Sequence, residues 1–288
     1  MPAATTHAEF ARQVYSSMPE ELRDSITSLP MYYLGSQGPD LFFFHGYMFL
    51  PGSLNSLGSR LHEERVKETI TFLTTHASTP ALHSYVLGFL THYALDSHCH
   101  PIINAYSLRE AKEKSIPELE AHFRMEGELD AWMLRQQGRS VKDYNVYQSL
   151  KVSRQEAKEL GRMYHALFQK VFGENVKASA IERACYDTAR ITRQLKVGKR
   201  TQSAIYAAES LIRMPHLVSG MILTDKEGAF PELLNHGHKV WNYYGESRKS
   251  FPELMEEAGK YALKLMEHPD PDLIRCNFNG EPLPRAIL

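Results

Sequence analysis

Two histidine–carboxylate pairs in the sequence have the spacing of a helical metal site. His92 and Asp96 form one pair, and His122 and Glu126 form the other. Residues four apart lie on one face of a helix, so each pair can offer a nitrogen and an oxygen to one cation. Taken alone, the first pair also fits a buried histidine beside a capping carboxylate, and the second also fits a surface pair. Together they favour divalent-metal binding.

Histidines crowd around these pairs. Seven of the 14 histidines fall between residues 45 and 100, at His45, His62, His76, His83, His92, His98 and His100. Asp40 and His7 add further ligand types upstream. Oxygen and nitrogen ligands without thiolate favour zinc and also suit iron or manganese. Cys99 is expected to point away from such ions, because we expect the SHCHP segment at 97–101 to form a short turn.

Helices are expected to position these ligands. Thr6-His7-Ala8-Glu9 fits a capping box, which would place His7 in the first turn of a helix. Thr79-Pro80 predicts the start of a second helix, whose nearly all-apolar sequence through Ser97 indicates a buried central element carrying His92 and Asp96. The Ser115–Glu118 segment predicts a third start, for a helix that carries His122 and Glu126 to about Arg135.

The rest of the chain completes an all-α prediction. Residues 31–58, rich in aromatics, Gly and Pro, are expected to form a long loop, followed by a helix over 59–75. Further helices are predicted from Ser153 to Gly173 and over 179–196, 201–213 and 251–267. With no period-2 strand pattern and no repeat, residues 1–288 are predicted to form a single domain, a multi-helix bundle.

Composition narrows the classes of function. The net charge is -1, which gives no bulk attraction to nucleic acid or to an anionic membrane, so no stable nucleic acid partner is expected. Three widely spaced cysteines do not form a disulfide framework. The sequence shows neither a signal peptide nor a transmembrane segment. We therefore expect a cytoplasmic protein, whose oligomeric state the sequence does not indicate.

Longer motifs resemble a known family. HYALDSHCHP, followed by HFRME, is similar to the signature of the bacterial zinc-dependent phospholipase C family, which includes the clostridial alpha-toxin catalytic domain. TTHAEFARQVY and YLGSQGPDLFFF resemble its cytosolic, signal-less branch. The resemblance is clear over about residues 1–135 and weaker near the C-terminus. It implies the all-α fold shared by phospholipase C and P1-type nucleases.

The resemblance also implies ligand sets for two or three zinc ions. The sets are Asp40, His62, His92 and Asp96 for one site, His100, His122 and Glu126 for a second, and His7 with a bridging Asp96 for a third. His45 remains an alternative to His62, and His98 an alternative to His100. Secreted members use an N-terminal Trp at the third zinc, and this chain has no Trp near its start.

The activity implied is that of a metal-dependent phosphodiesterase acting on a phospholipid or a related phosphodiester. A cluster of this kind activates water and stabilises phosphoryl oxygens. Asp40 or Glu126 would orient the water or act as base, and the resemblance favours Asp40. Two alternatives remain: a P1-type nuclease or nucleotide phosphoesterase, and a non-catalytic metal-binding regulatory protein.

Overall fold

A computed structural model describes residues 4–47, 53–143, 145–195, 199–223 and 232–284. The prediction of an all-α, multi-helix fold is confirmed. The helices are α1 (Ala4–Ser17), α2 (Glu20–Asp24), α3 (Leu29–Gly35), α4 (Asn55–Glu63), α5 (Val66–His76), α6 (Pro80–Lys114), α7 (Glu118–Gln136), α8 (Val146–Ser149), α9 (Arg154–Leu167), α10 (Ala178–Gln194), α11 (Lys199–Leu211), α12 (Leu217–Met221) and α13 (Phe251–Glu267). Two short antiparallel strands, β1 (Trp241–Asn242) and β2 (Glu246–Ser247), are the only strands within these ranges.

Helix α6 lies at the centre of the fold, where α1, α3, α7 and α13 all pack against it. It starts as predicted: the Thr79 hydroxyl accepts a hydrogen bond from the Leu82 amide at 3.2 Å, and Pro80 occupies the first turn. Its apolar residues face neighbours on every side, which explains why its sequence lacks a polar stripe. None of the described helices combines the length and apolar character needed to cross a membrane.

The turn expected at SHCHP is wrong, because α6 continues through Pro101 to Lys114. Proline removes only one helical hydrogen bond, and buried residues on both sides of it keep the helix intact. The loop at Gly280 packs directly on the proline ring, since a Cβ at Gly280 would lie 2.5 Å from Pro101 Cγ. His92, Asp96 and His100 therefore share one helix face at successive four-residue steps.

Other expectations are also corrected. The segment 31–58 holds most of α3, two 3-10 turns (Gly38–Phe42 and His45–Tyr47) and the start of α4, while residues 48–52 lie outside the described ranges. The helix predicted over 59–75 is interrupted at Arg65, whose φ is 49°. No Thr6 capping box forms, because α1 already includes Ala4. Ser115 ends α6, and Pro117 precedes α7.

The later helices follow their sequence signals closely. Capping boxes form at Ser153 with Glu156, and at Ser250 with Glu253. A π-helical turn extends α9 to Phe172, and Gly173 ends it with a φ of 71°. Here the chain provides local caps and a single apolar stripe, which is why sequence alone locates these elements well.

Candidate metal centre

One face of α6 presents the central residues of a histidine–carboxylate cluster. Asp96 is buried, and its Oδ2 atom lies 3.0 Å from Nε2 of His92, one turn earlier. Its Oδ1 atom lies 3.5 Å from Nε2 of His100, one turn later. A carboxylate between two imidazoles on a buried helix face has no solvent to stabilise its charge, so it needs cationic or hydrogen-bonding neighbours.

Three other elements bring ligands to this face. From α1, His7 Nε2 lies 3.3 Å from Asp96 Oδ1. From α4, His62 Nε2 lies 3.7 Å from Asp96 Oδ2 and 3.3 Å from Asp40 Oδ1, which belongs to the first 3-10 turn. The cluster thus joins parts of the chain that are far apart in sequence.

Helix α7 supplies the last two residues. Glu126 is buried, and its Oε1 atom lies 3.2 Å from His122 Nε2, one turn before it. The same oxygen lies 3.6 Å from His100 Nε2 on α6. His100 therefore stands between the carboxylate of its own helix and the carboxylate of α7.

All eight residues predicted as ligands come together here. They form three groups whose potential ligand atoms lie within 4.8 Å of one another: His7, His92 and Asp96; Asp40, His62 and His92; and His100, His122 and Glu126. Nitrogen and carboxylate donors at such separations suit a zinc ion, whose bonds to them are about 2.0–2.2 Å long.

Backbone carbonyls orient two of the imidazoles. His92 Nδ1 lies 3.0 Å from the Ser36 carbonyl, and His62 Nδ1 lies 2.8 Å from the Gly58 carbonyl. A carbonyl only accepts, so each Nδ1 carries the hydrogen and each neutral ring presents an Nε2 lone pair to the cluster. His92 Nε2 lies 3.0 Å from Asp96 Oδ2, but with the hydrogen on Nδ1 it has none to donate, so this buried atom has no hydrogen-bond partner. A cation would satisfy this atom, so the donor set fits a metal.

The His92 ring also depends on Gly38. This glycine has a φ of +51°, and a Cβ there would lie 2.3 Å from His92 Cδ2. Only glycine combines that backbone conformation with the close approach of the ring. The first 3-10 turn therefore brings Asp40 to the cluster and packs against His92 at the same time.

Burial and mutual charge set the protonation of the cluster. Burial, together with the neighbouring His92, lowers the pKa of His7 to about 3, so this ring is neutral at neutral pH. Burial by itself would raise the pKa of the Asp96 carboxyl, but His100, His92 and His7 more than offset it and hold that pKa well below its ordinary value. Asp96 is thus an anion able to bind cations through both oxygens.

The alternative ligands considered from the sequence, His45, His98 and Cys99, lie outside the three metal-capable groups. His98 bonds through Nδ1 to the Ala94 carbonyl at 2.9 Å, and its ring lies 5.1 Å from that of Tyr261 on α13. His45 belongs to the second 3-10 turn, which packs against α10. Cys99 is buried, and neither it nor these two histidines belongs to a metal-capable group among the described residues.

Two contributors to the site carry no motif and were missed in the sequence. Phe278 is fully buried, and its ring centroid lies 5.0 Å from that of His62 and 5.6 Å from that of His92. Asp130 lies one turn after Glu126 on α7 and accepts hydrogen bonds from the first turn of α1. The four-residue step from Glu126 to Asp130 was the available signal for the latter.

Comparison with known proteins identifies the family. The family model for zinc dependent phospholipase C matches residues 6–193, about two thirds of the chain. The resemblance seen in the sequence motifs is thereby confirmed, and all eight clustered residues lie inside the matched segment. No curated protein and no solved structure matches the chain.

Proposed function

Because the chain belongs to the zinc-dependent phospholipase C family, we propose that it is a zinc-dependent phosphodiesterase acting on phospholipids. The observation that carries the proposal is the position of Asp96, whose two carboxylate oxygens lie within 4 Å of four imidazoles from three helices. A structural ion pair requires one partner, whereas this carboxylate is surrounded by nitrogens that are themselves metal ligands by type.

The donor atoms favour a particular division of ligands. His92 appears in two of the three groups, but its one free nitrogen can bind only one ion. Asp96 has two oxygens, which face different histidines, so it can serve two ions. We therefore assign Asp40, His62, His92 and Asp96 to one zinc, His7 and Asp96 to another, and His100, His122 and Glu126 to a third.

Zinc ions in such a cluster supply Lewis acidity, which stabilises phosphoryl oxygens and makes water more acidic. The chain's own contribution is to hold ligands and charges in place before substrate arrives. Asp40 is buried beside His62, and its carboxylate is anionic at neutral pH, so it can accept a proton or orient water. Glu126 is held between His122 and His100, which favours a ligand role alone. We propose Asp40 as the base in addition to its role as a ligand, as the family resemblance implies.

A lipid diester fits this chain better than a polynucleotide. A polymer substrate is held largely through its many phosphates, and a net charge of -1 gives no bulk attraction to such a polyanion. A phospholipid presents one phosphodiester and two acyl chains. Comparing phosphatidylcholine with single-stranded DNA as substrates separates the two possibilities directly.

The test begins with metal content, measured by plasma mass spectrometry on protein purified without chelator or metal-affinity tag. We expect two or three zinc ions per chain, turnover of bis-p-nitrophenyl phosphate, and hydrolysis of phosphatidylcholine in preference to DNA. Asp40→Asn should abolish turnover and lower the zinc content by at most one ion per chain, because Asp40 is assigned both as a ligand and as the base. His98→Gln is the matched control. A fully metallated protein that hydrolyses none of these substrates would be a metal-binding protein, and the proposal would be wrong.

A further inference from the structure

An exposed apolar turn stands at the end of α11. Among the described residues, four of the nine large apolar side chains that face solvent fall within residues 206–214. They are Tyr206 (51% exposed), Leu211 (84%), Ile212 (63%) and Met214 (49%). We call Leu211–Met214 the tip. Scattered exposed apolar residues are ordinary, but a contiguous group at one exposed turn indicates a contact surface.

The tip is ordered by its own hydrogen bonds. The Arg213 amide donates to the Ser210 carbonyl at 3.1 Å, and the Met214 amide donates to the Glu209 carbonyl at 2.9 Å. Arg213 adopts a left-handed conformation, with a φ of 56°. This is a helix-ending turn whose backbone is satisfied, although its apolar side chains gain nothing from the protein's own core.

Buried polar contacts fix the tip to the rest of the protein. The Glu209 carboxylate is buried and accepts hydrogen bonds from the Val218 amide at 2.8 Å and the Ser219 hydroxyl at 2.5 Å. The His216 ring stacks on Tyr206, with centroids 3.8 Å apart. Helices α11 and α12 therefore form one rigid hairpin.

The hairpin is anchored on the helix that carries part of the metal cluster. The Glu120 carboxylate on α7 lies 3.0 Å from both the amide nitrogen and Nδ1 of His216. Helix α12 also packs along α7. The contact is close at Gly127, next to Glu126, because a Cβ at this glycine would lie only 3.0 Å from the Gly220 carbonyl oxygen. Glu120 and Glu126 are six residues apart, about 9 Å along a helix axis. The tip is therefore held at a fixed distance from the cluster.

The charges at the tip agree with a phosphate-bearing surface. Residues 210–215, SLIRMP, contain Arg213 and no carboxylate. Arg213 is exposed and forms no ion pair with any residue in the described ranges. A cation flanked by leucine, isoleucine and methionine matches the interface of a bilayer, where phosphates lie above acyl chains.

We propose that the tip docks on the surface of a phospholipid bilayer, with Leu211, Ile212 and Met214 entering the acyl region and Arg213 at the level of the phosphates. The choice of a bilayer as partner rests on the proposed function. Docking through the tip would place the end of α7, and with it the metal cluster, close to the head groups. Because the net charge of the chain is -1, it adds no bulk attraction to an anionic surface, and we expect the tip to provide most of the affinity.

Vesicle binding of the full chain tests the proposal. Zinc-loaded protein is sedimented with vesicles of phosphatidylcholine, with and without phosphatidylglycerol. We expect Leu211→Ser/Ile212→Ser to weaken partitioning by about tenfold or more, because two apolar side chains no longer leave water. Val240→Ser/Tyr244→Ser is the matched control, since both of those residues are about half exposed, as Met214 is, and lie outside the tip. The control should bind as the unaltered protein does.

A second variant reports insertion directly. Tryptophan in Leu211→Trp should show a blue-shifted emission on vesicles and quenching by brominated acyl chains. Unchanged emission, equal binding by the tip variant, or no binding by the unaltered protein would each overturn the proposal. Loss of a dimer in Leu211→Ser/Ile212→Ser, seen by light scattering without vesicles, would instead make the tip a contact between two copies.

The two proposals fail separately. Sedimentation needs no turnover, so a protein that binds vesicles through the tip but hydrolyses nothing contradicts only the proposed function. A protein that hydrolyses bis-p-nitrophenyl phosphate but ignores vesicles contradicts only the docking. The tip variant should retain turnover of this soluble diester, because no tip residue contacts the cluster.

Discussion

The Asp130 carboxylate on α7 holds the first turn of α1 through three hydrogen bonds, two of them from Thr6. Its Oδ1 atom accepts from the Thr6 amide and the Thr6 hydroxyl, both at 2.7 Å, and its Oδ2 atom accepts from the Thr5 amide at 3.2 Å. Two of these donors, the amides of Thr5 and Thr6, belong to the N–H groups that have no partner within the helix at its start. Because His7 follows directly, Asp130 fixes the position of His7 relative to Glu126.

Replacing this carboxylate should weaken the metal group that contains His7. Asp130→Asn turns an amide group toward donors and leaves buried N–H groups unpaired, which should cost about 1–3 kcal/mol of unfolding free energy. We expect the variant to lose close to one zinc ion per chain. Urea unfolding and metal analysis measure the two effects. The control is Asp187→Asn. Asp187 is also a buried carboxylate, which accepts a hydrogen bond from the Gly46 amide at 3.1 Å, but it lies outside the cluster. Equal zinc content in both variants would show that Asp130 serves stability alone.

Asp96→Asn should affect the whole cluster. An amide oxygen binds cations more weakly than a carboxylate, and its NH2 group would face imidazole nitrogens. We expect more than one zinc ion to be lost per chain, together with a lower melting temperature. His98→Gln is the control, because His98 lies on the same helix with its ring against Tyr261. Zinc content and melting temperature that match the unaltered protein would remove Asp96 from the metal centre.

Gly38→Ala should displace His92. A Cβ at this position meets the His92 ring at 2.3 Å, and φ there is +51°. Gly138 is a close control, because its φ is +64° and nothing lies within 4 Å of its Cβ position. The left-handed conformation should cost each alanine variant about 1–2 kcal/mol. Only Gly38→Ala should lose a further amount of unfolding free energy, about 1–3 kcal/mol for the clash with the His92 ring, and only this variant should lose zinc. Equal unfolding free energies for the two variants would show that the ring moves aside freely.

The effect of pH should have opposite signs with and without zinc. Burial would lower the pKa of His92 and of His100, but Asp96 raises both above the usual value in the metal-free protein. Their stabilising contribution is therefore complete below about pH 6.5, the unfolded value, and is lost as the pH rises through the raised pKa. Zinc requires both rings neutral, so its stabilisation grows over the same range.

Melting curves with chelator and with zinc, recorded from about pH 5.5 to about pH 8.5, measure both trends. We expect the melting temperature of the chelated protein to fall relative to that of the zinc-loaded protein, so that the difference between them widens with pH. His122→Gln provides a comparison. It should reduce the rise in melting temperature caused by zinc, and the melting temperature of the chelated variant should still fall with pH. A difference that stays constant with pH would contradict neutral imidazoles as the ligands.

The sequence located ligand types better than it located their neighbours. Helical spacing alone determines which residues share a face, so the sequence was enough to predict the pairs His92 with Asp96 and His122 with Glu126. The sequence was not enough to predict that α6 continues through Pro101. A proline locally favours a helix end, whereas burial on all sides keeps the helix intact, and burial is a property of the whole fold. The break at Arg65 likewise has neither a glycine nor a proline to signal it.

The rest of the cluster depends on long-range packing. Asp40 and His7 reach the cluster only because α1 and the first 3-10 turn pack on α6, and no local pattern encodes that approach. The family resemblance supplied these residues, whereas spacing did not. Gly38 illustrates what local patterns leave out. A glycine before a proline suggests a turn, but only the structure shows that the His92 imidazole lies against it.

Phe278 connects the metal centre to a part of the chain beyond the family match. The Phe278 amide donates to the His62 carbonyl at 3.1 Å, and the ring packs against the rings of His62 and His92. Phe278→Ala should cost about 3–5 kcal/mol of unfolding free energy, as expected for a buried phenylalanine. It should also lower zinc affinity by about 10- to 100-fold, because two ligand rings lose their support.

Competition with a fluorescent chelator measures this affinity. Phe251→Ala is the matched control, because Phe251 is equally buried but packs against Trp132, far along α7 from His122. The control should lose similar stability and keep its zinc affinity. If both variants bind zinc as the unaltered protein does, the C-terminal segment only completes the core. If Phe278→Ala alone loses affinity, the segment beyond residue 193 is part of the metal centre, and a fragment limited to the family match would bind zinc poorly.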